Sequence, residues 1–195
     1  IVTTNQLNKV SVGTLGVIEP NTKGSWAVGN SGTIVYYNTT TKTWTIDAQS
    51  GVITTQNLNG ILIYDSNALV ISVGANGTIL TWDGTTWSLV SSGTTEILRG
   101  IAYDNNGDLW ICGDSGVLLK STDSGVTWTA VSSGTTKRLN YIWFSPSKDW
   151  GYAVGDDGII LKIIPSTNAV SVTASGLPTG IGSRLLSFEL TSDTS

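Results

Sequence analysis

The chain has 195 residues, with 10 Lys and Arg against 14 Asp and Glu, 23 Gly, 8 Trp, no Met and no His. Its net charge of −4 supplies no electrostatic motive for binding nucleic acid or an anionic membrane. The lack of His removes the commonest general base and metal ligand, and the single cysteine, Cys112, excludes an intramolecular disulfide and a cysteine-based metal site.

No apolar run approaches the roughly 20 residues that span a bilayer, so membrane insertion is not expected. No stretch has the n-region and h-region of a signal peptide. The chain opens on Ile1 instead of Met, which suggests processing or trimming. Only 12% of residues are charged, yet 39% are hydrophobic and fall in short periodic runs rich in Thr and aromatic residues, which reads as all-β.

In chain order, Ile1-Val2-Thr3-Thr4 resembles the end of an outer strand such as Val131-Ser132-Ser133. LNKVSV from Leu7 is the first of a repeated strand, which returns as LNGILIY from Leu58, LRGIAY from Leu98 and LNYIWF from Leu139. LLSFEL from Leu185 is a fifth copy of that strand alone. An apolar triplet and a G-x-x-G turn follow each time, at Gly29/Gly32, Gly74/Gly77, Gly113/Gly116 and Gly155/Gly158. A second apolar pair comes next: Ile34-Val35, Ile79-Leu80, Leu118-Leu119 and Ile160-Leu161. Trp44, Trp87, Trp128 and Val170 mark the fourth strand.

Four short strands in about 42 residues, joined by Gly, Asn, Asp and Ser turns, describe a β-propeller blade. The expected fold is therefore an all-β propeller, one domain over 1–195. It has four full blades at about 7–48, 58–92, 98–133 and 139–175 and a partial blade at 184–191. A propeller must close to hide its blade edges, so the ring is expected to be completed by further sequence, by self-association or by a second chain.

The combination of L-N-x-I-x-F, W-A-V-G-x-x-G-T-I-L and S-x-D-x-G-x-x-W resembles the BNR/Asp-box propellers, and especially the photosystem II assembly and stability factor propellers. The resemblance covers nearly the whole chain and specifies fold far better than function. The Asp-box is complete once, at Ser121, Asp123, Gly125 and Trp128, and partial at Asp83, Gly84 and Trp87. It implies a turn between third and fourth strands in which Asp123 accepts backbone N–H bonds, Gly125 takes a positive φ and Trp128 packs between blades. In such families that turn lies opposite the usual binding face.

The remaining loops are the candidate binding face. The G-x-x-G turns (Asn30-Ser31, Ala75-Asn76, Asp114-Ser115, Asp156-Asp157) should share one end of the ring with the inter-blade loops at 91–97, 132–138 and 175–184. Asn30, Asn76, Asp114, Asp156, Asp157, Glu96, Lys137 and Arg138 are the candidate site residues; the plainer account is that Asn, Asp and Ser suit tight turns.

Arg99, Arg138 and Arg184 are the only arginines. Propeller sialidases grip a substrate carboxylate with three, and also need a Tyr–Glu pair and a further acid. Tyr141, Glu96 and Glu189 could be named for those roles, but no local pattern supports them, and Arg99 is out of register with the other two. The assembly-factor propellers use an Arg-rich surface for their client, and three arginines match that thinly.

Asp104-Asn105-Asn106-Gly107-Asp108 lacks the Gly and Glu spacing of a calcium loop and reads as a hairpin turn. Cys112 stands where Val28, Val73 and Val154 stand, so it should be a buried small hydrophobe. Asn38 and Asn76 open N-x-[ST] tripeptides in expected turns, which matter only in a glycosylating compartment. Trp82, Tyr36 and Tyr37 are less regular and are candidates to stack a sugar.

No catalytic residue, metal or cofactor is expected. The expected function is a non-catalytic interaction module of an extracellular or virion-type assembly, binding a protein or glycan through one loop face. The alternatives are a sialidase-like or lectin propeller and an assembly factor for a membrane protein complex.

Overall fold

Strands form where β-branched and aromatic residues cluster, and end where Gly, Asn or Asp supplies a left-handed turn residue. The computed structural model describes residues 3–12, 23–64, 69–147 and 149–174. The fifth strand copy from Leu185, Arg184, Glu189, the loop at 175–184 and the first two residues lie outside these.

The described residues build four antiparallel four-stranded sheets, each in simple meander order. The first holds β1 (Leu7–Val12), β2 (Lys23–Gly29), β3 (Ile34–Asn38) and β4 (Thr43–Ile46). The second holds β5 (Leu58–Tyr64), β6 (Leu69–Gly74), β7 (Ile79–Trp82) and β8 (Trp87–Val90). The third holds β9 (Leu98–Tyr103), β10 (Leu109–Gly113), β11 (Leu118–Ser121) and β12 (Thr129–Ala130). The fourth holds β13 (Leu139–Phe144), β14 (Gly151–Gly155), β15 (Ile160–Ile164) and β16 (Ala169–Ala174). This is β-propeller architecture, with the sheets forming an arc that does not close into a ring.

The core lies between sheets and follows one rule at each junction. The following sheet contributes the first residue of its innermost strand: Leu58, Leu98 or Leu139. The preceding sheet answers with the head of its apolar triplet, Trp26, Ile71 or Trp110, and with Ile34, Ile79 or Leu118. Every one of these side chains is at most 2% exposed. At the first junction Trp26 packs within 5.2 Å of both Trp82 and Trp87. Trp82, expected as a sugar-stacking candidate, is thus an interior residue, only 4% exposed.

Each innermost strand also carries a bulge near its start. The ladder skips one residue against the second strand, and the skipped residue is Asn8, Asn59, Arg99 or Asn140. A bulge re-aims the side chain it contains. Asn8 Nδ2 reaches the Leu58 carbonyl of the next sheet (2.9 Å), and Asn59 Nδ2 reaches the Leu98 carbonyl (3.0 Å). Where Arg99 replaces Asn, the equivalent Leu139 carbonyl receives the Cys112 thiol instead, at 3.8 Å. Burial pushes that thiol up to about 12, as suits an unreactive interior residue.

Candidate functional site

The G-x-x-G turns are placed by backbone bonds that could form in few other ways. The turns Asn30–Gly32, Asp114–Gly116 and Asp156–Gly158 each hold their middle residue in the left-handed region, at φ of 54°, 54° and 55°. The N–H of the residue after the first Gly bonds to the loop entering the same sheet: Asn30 to Gln6, Ala75 to Asn57, Asp114 to Ile97 and Asp156 to Arg138. The second Gly faces the loop that leaves the sheet. A Cβ on Gly77 would stand 1.9 Å from the Thr94 carbonyl, and one on Gly116 the same distance from that of Thr135. Turns and inter-blade loops are therefore fused into one rigid end of the arc.

The charged side chains on that end form a connected row. Arg99 pairs with both Asp114 carboxylate oxygens, and Arg138 Nε donates to Asp114 Oδ1 at 3.0 Å. The other arm of Arg138 lies 3.4 Å from Asp156, which also accepts from Asn140 Nδ2 at 2.8 Å. Lys137 pairs with Asp157 at the exposed margin. Burial raises the Asp114 carboxyl, but the hydrogen bond and charge of Arg99, joined by Arg138, outweigh it and hold the group below the usual carboxylate range. The hydrogen bond from Lys137 to Asp157 raises the Lys137 ammonium above its ordinary value.

The structure brings Asp114, Asp156, Asp157, Lys137 and Arg138 together in this row. Glu96 enters through its backbone, its carbonyl accepting from Gly77 N–H at 2.9 Å. Asn30 accepts from Asn8, and Asn76 sits exposed at φ 52° in the turn of the second sheet. Arg99 was undervalued in the sequence because it is out of register with Arg138. It is out of register because it follows Leu98, at the bulged position that Asn140 fills in the fourth sheet, whereas Arg138 precedes Leu139; from the bulge it pairs with Asp114.

Two grooves of about 810 and 830 Å³ open on this end, and Ser115 and Thr136, the chain neighbours of Asp114 and Lys137, line the second. Identical V-S-S-G-T-T segments, 90–95 and 131–136, border them. Gly93 and Gly134 hold φ of 73° and 70° at their tips.

The Asp-box lies at the opposite end of the sheet, between β11 and β12. Thr127 N–H and Ser121 Oγ donate to Asp123 Oδ1 at 2.9 and 2.7 Å, Gly125 has φ 86°, and Trp128 Nε1 donates to the Gly125 carbonyl at 3.2 Å. Trp128 packs against the core between the second and third sheets. Near Tyr103, Asp104 is buried and accepts from Asn106 N–H, Asp108 N–H and Trp110 Nε1, so this turn is fastened from within. Among the described residues no group of three or more His, Cys, Asp or Glu could hold a metal ion, and no helix is long and apolar enough to cross a membrane.

Residues 85–164 match the family model described as photosynthesis system II assembly factor YCF48. Among solved structures, YCF48 bound to D1 peptide superposes with a TM-score of 0.65 at 19% identity, covering 91% of this chain and 55% of that one. The WD40 repeats of RRP9 give a TM-score of 0.68 at 9% identity over 87% of this chain and 51% of theirs. U3-55K gives 0.68 at 9% over 87% and 52%. The chain thus spans about half the length of the solved propellers it matches, and at these identities the likeness is one of fold. No curated protein matches the sequence. Repeat and fold together make the chain a β-propeller, similar over residues 85–164 to the BNR-type repeats of the photosystem II assembly factor.

Proposed function

We propose that the chain is a non-catalytic protein-binding module that receives an extended polypeptide on the fused loop end. The observation that carries this is the row Arg99–Asp114–Arg138–Asp156 with Lys137–Asp157, held on the same end of the arc as a hydroxyl-lined groove that Ser115 and Thr136 border. Preorganised charges fix register and discourage wrong partners at little ordering cost. YCF48, similar in fold, has been solved with a D1 peptide bound, which favours a polypeptide as the class of client. A segment of a larger assembly fits that class.

The same row argues against chemistry. Asp114 is held ionised by two guanidinium groups, so it is a poor proton donor near neutral pH. Arg99 and Arg138 are engaged with a carboxylate of the protein itself, unlike arginines kept ready for a substrate carboxylate, and this speaks against sialidase activity. Burial of Trp82 removes one platform for stacking a sugar. An extracellular or virion setting has composition as its only support, and binding of this kind does not require it.

Peptides selected by display against the chain provide the test. Their affinity is expected to fall about tenfold or more in Arg138→Ala and in Lys137→Ala. It should stay unchanged in Val126→Ala, which alters an exposed residue at the Asp-box end. Equal affinity in all three variants would overturn the assignment.

A further inference from the structure

The outermost strand of a sheet has one edge without a ladder partner, and the second and third sheets differ in what covers it. In β8, Trp87 N–H donates to Gln49 Oε1 at 2.7 Å, and Gln49 Nε2 donates to the Trp87 carbonyl at 3.2 Å. One side-chain amide thus gives Trp87 the two bonds that a residue on a further antiparallel strand would give it. Gln49 reaches this edge from the connection between the first and second sheets, which is the longest of the three. Leu58 follows Asp47 by 11 residues, whereas Leu98 and Leu139 follow Val90 and Val131 by 8. The shorter connection before the third sheet supplies no such amide. Among the described residues no side chain bonds to the backbone of Trp128, the counterpart of Trp87.

The register of β12 shows which groups that edge offers. Thr129 pairs with Lys120, and Val131 N–H donates to the Leu118 carbonyl at 2.9 Å. Backbone groups alternate in an antiparallel ladder, so the N–H and C=O of Trp128 and Ala130 point away from β11. Ala130 is exposed, and Trp128 is half-buried where Trp87 is only 2% exposed. Both line the groove of about 830 Å³, together with Ser132 and Ser133. No charged side chain lines this groove, and W-T-A-V-S from Trp128 holds neither the Lys nor the Pro that commonly blunts an edge. The third sheet has a neighbour on each face, so its edge is open independently of the ends of the chain.

We propose that the open edge of β12 receives an extended polypeptide as an added strand of the third sheet. The backbone of that polypeptide pairs with Trp128 and Ala130 as the Gln49 amide pairs with Trp87. The class of occupant follows from this pairing, because a paired N–H and C=O on one edge is what a peptide backbone offers. A groove without charge leaves side-chain selection to uncharged residues. Ser115 and Thr136 also line it, next in sequence to Asp114 and Lys137, so a strand seated there lies beside the charged row. The inference rests on the reading of the chain as a polypeptide-binding module, and it adds how the client is held.

Ala130→Pro removes the outward N–H alone, since proline is tolerated at an edge whose N–H faces solvent. Its circular dichroism should match that of the unmodified chain, while its affinity for a display-selected peptide falls about tenfold or more. Leu89→Pro makes the same change on the edge of β8, beside the Gln49 amide, and should leave affinity unchanged. A second measurement uses the unmodified chain and two forms of the peptide, N-methylated at complementary sets of alternate amides. One form should keep its affinity and the other should lose about tenfold or more, because only every second amide of an added strand faces the edge. Equal affinities of the two forms overturn strand addition, as does full affinity in Ala130→Pro. A loss in Leu89→Pro instead of Ala130→Pro overturns the choice of the third sheet. Weaker binding in Arg138→Ala with full affinity in Ala130→Pro leaves the charged-row reading standing and sinks strand addition alone. Full affinity in both variants overturns both.

Discussion

At the level of single residues, the Asp-box carboxylates act as fasteners whose strength depends on charge. Backbone bonds from Thr86 and Thr85 and the Thr85 hydroxyl lower Asp83 to about 2. The Thr127 hydroxyl and N–H, with Ser121, lower Asp123 to about 2. A carboxylate depressed in the folded state adds stability above its unfolded value, roughly 3.9, and loses it as pH falls through the folded one. The thermal midpoint should therefore drop as pH is lowered from about 4 to about 2. Asp83→Asn combined with Asp123→Asn should flatten that drop when melting is followed by circular dichroism. Both carboxylates are solvent-exposed, so the change in midpoint is expected to be modest. An unchanged slope in the double variant would mean that other carboxylates dominate acid unfolding. This role was legible in the sequence, because S-x-D-x-G-x-x-W encodes a local turn whose partners all lie within a few residues.

Elements depend on partners much farther along the chain, and here the sequence said less. The strand period, the G-x-x-G turns and the tryptophan of the outer strand could be read from spacing alone. The bulged position could not. L-N at Leu7 and Leu58 reads as repetition, while the bond from Asn59 to the Leu98 carbonyl joins residues 39 apart and appears only once two sheets are stacked. Lys120 is a similar case. It holds Asp108 at 2.9 Å within its sheet and reaches the Pro165 carbonyl at 3.1 Å and Asn168 at 3.0 Å on the next, with its ammonium 5.0 Å from the Trp110 ring. Nothing near Lys120 in sequence announces that bridge. Asn59→Ala is expected to cost about 1–3 kcal/mol, because it leaves the Leu98 carbonyl at an inter-sheet junction without its donor. Urea unfolding monitored by tryptophan fluorescence measures this. A loss well below that range would show that water replaces the amide.

The whole molecule is a one-dimensional stack, in which each sheet is stabilised by its own ladder and by the neighbours on its two faces. The second and third sheets have both faces covered, and their innermost strands β5 and β9 begin with Leu58 and Leu98 fully buried. Among the described residues the first sheet packs against a neighbouring sheet on one face only, and β1 is exposed along nearly its whole length. Local opening free energy follows buried apolar contact, so protection should rise from the ends of the arc toward its middle. Hydrogen exchange of the chain reads this gradient directly. Amides of β5, β6, β9 and β10 should then exchange slowest and those of β1 fastest. Uniform exchange across all four sheets would instead mean that the arc opens as one cooperative unit, with the inter-sheet cores too strongly coupled for the exposed strand to matter.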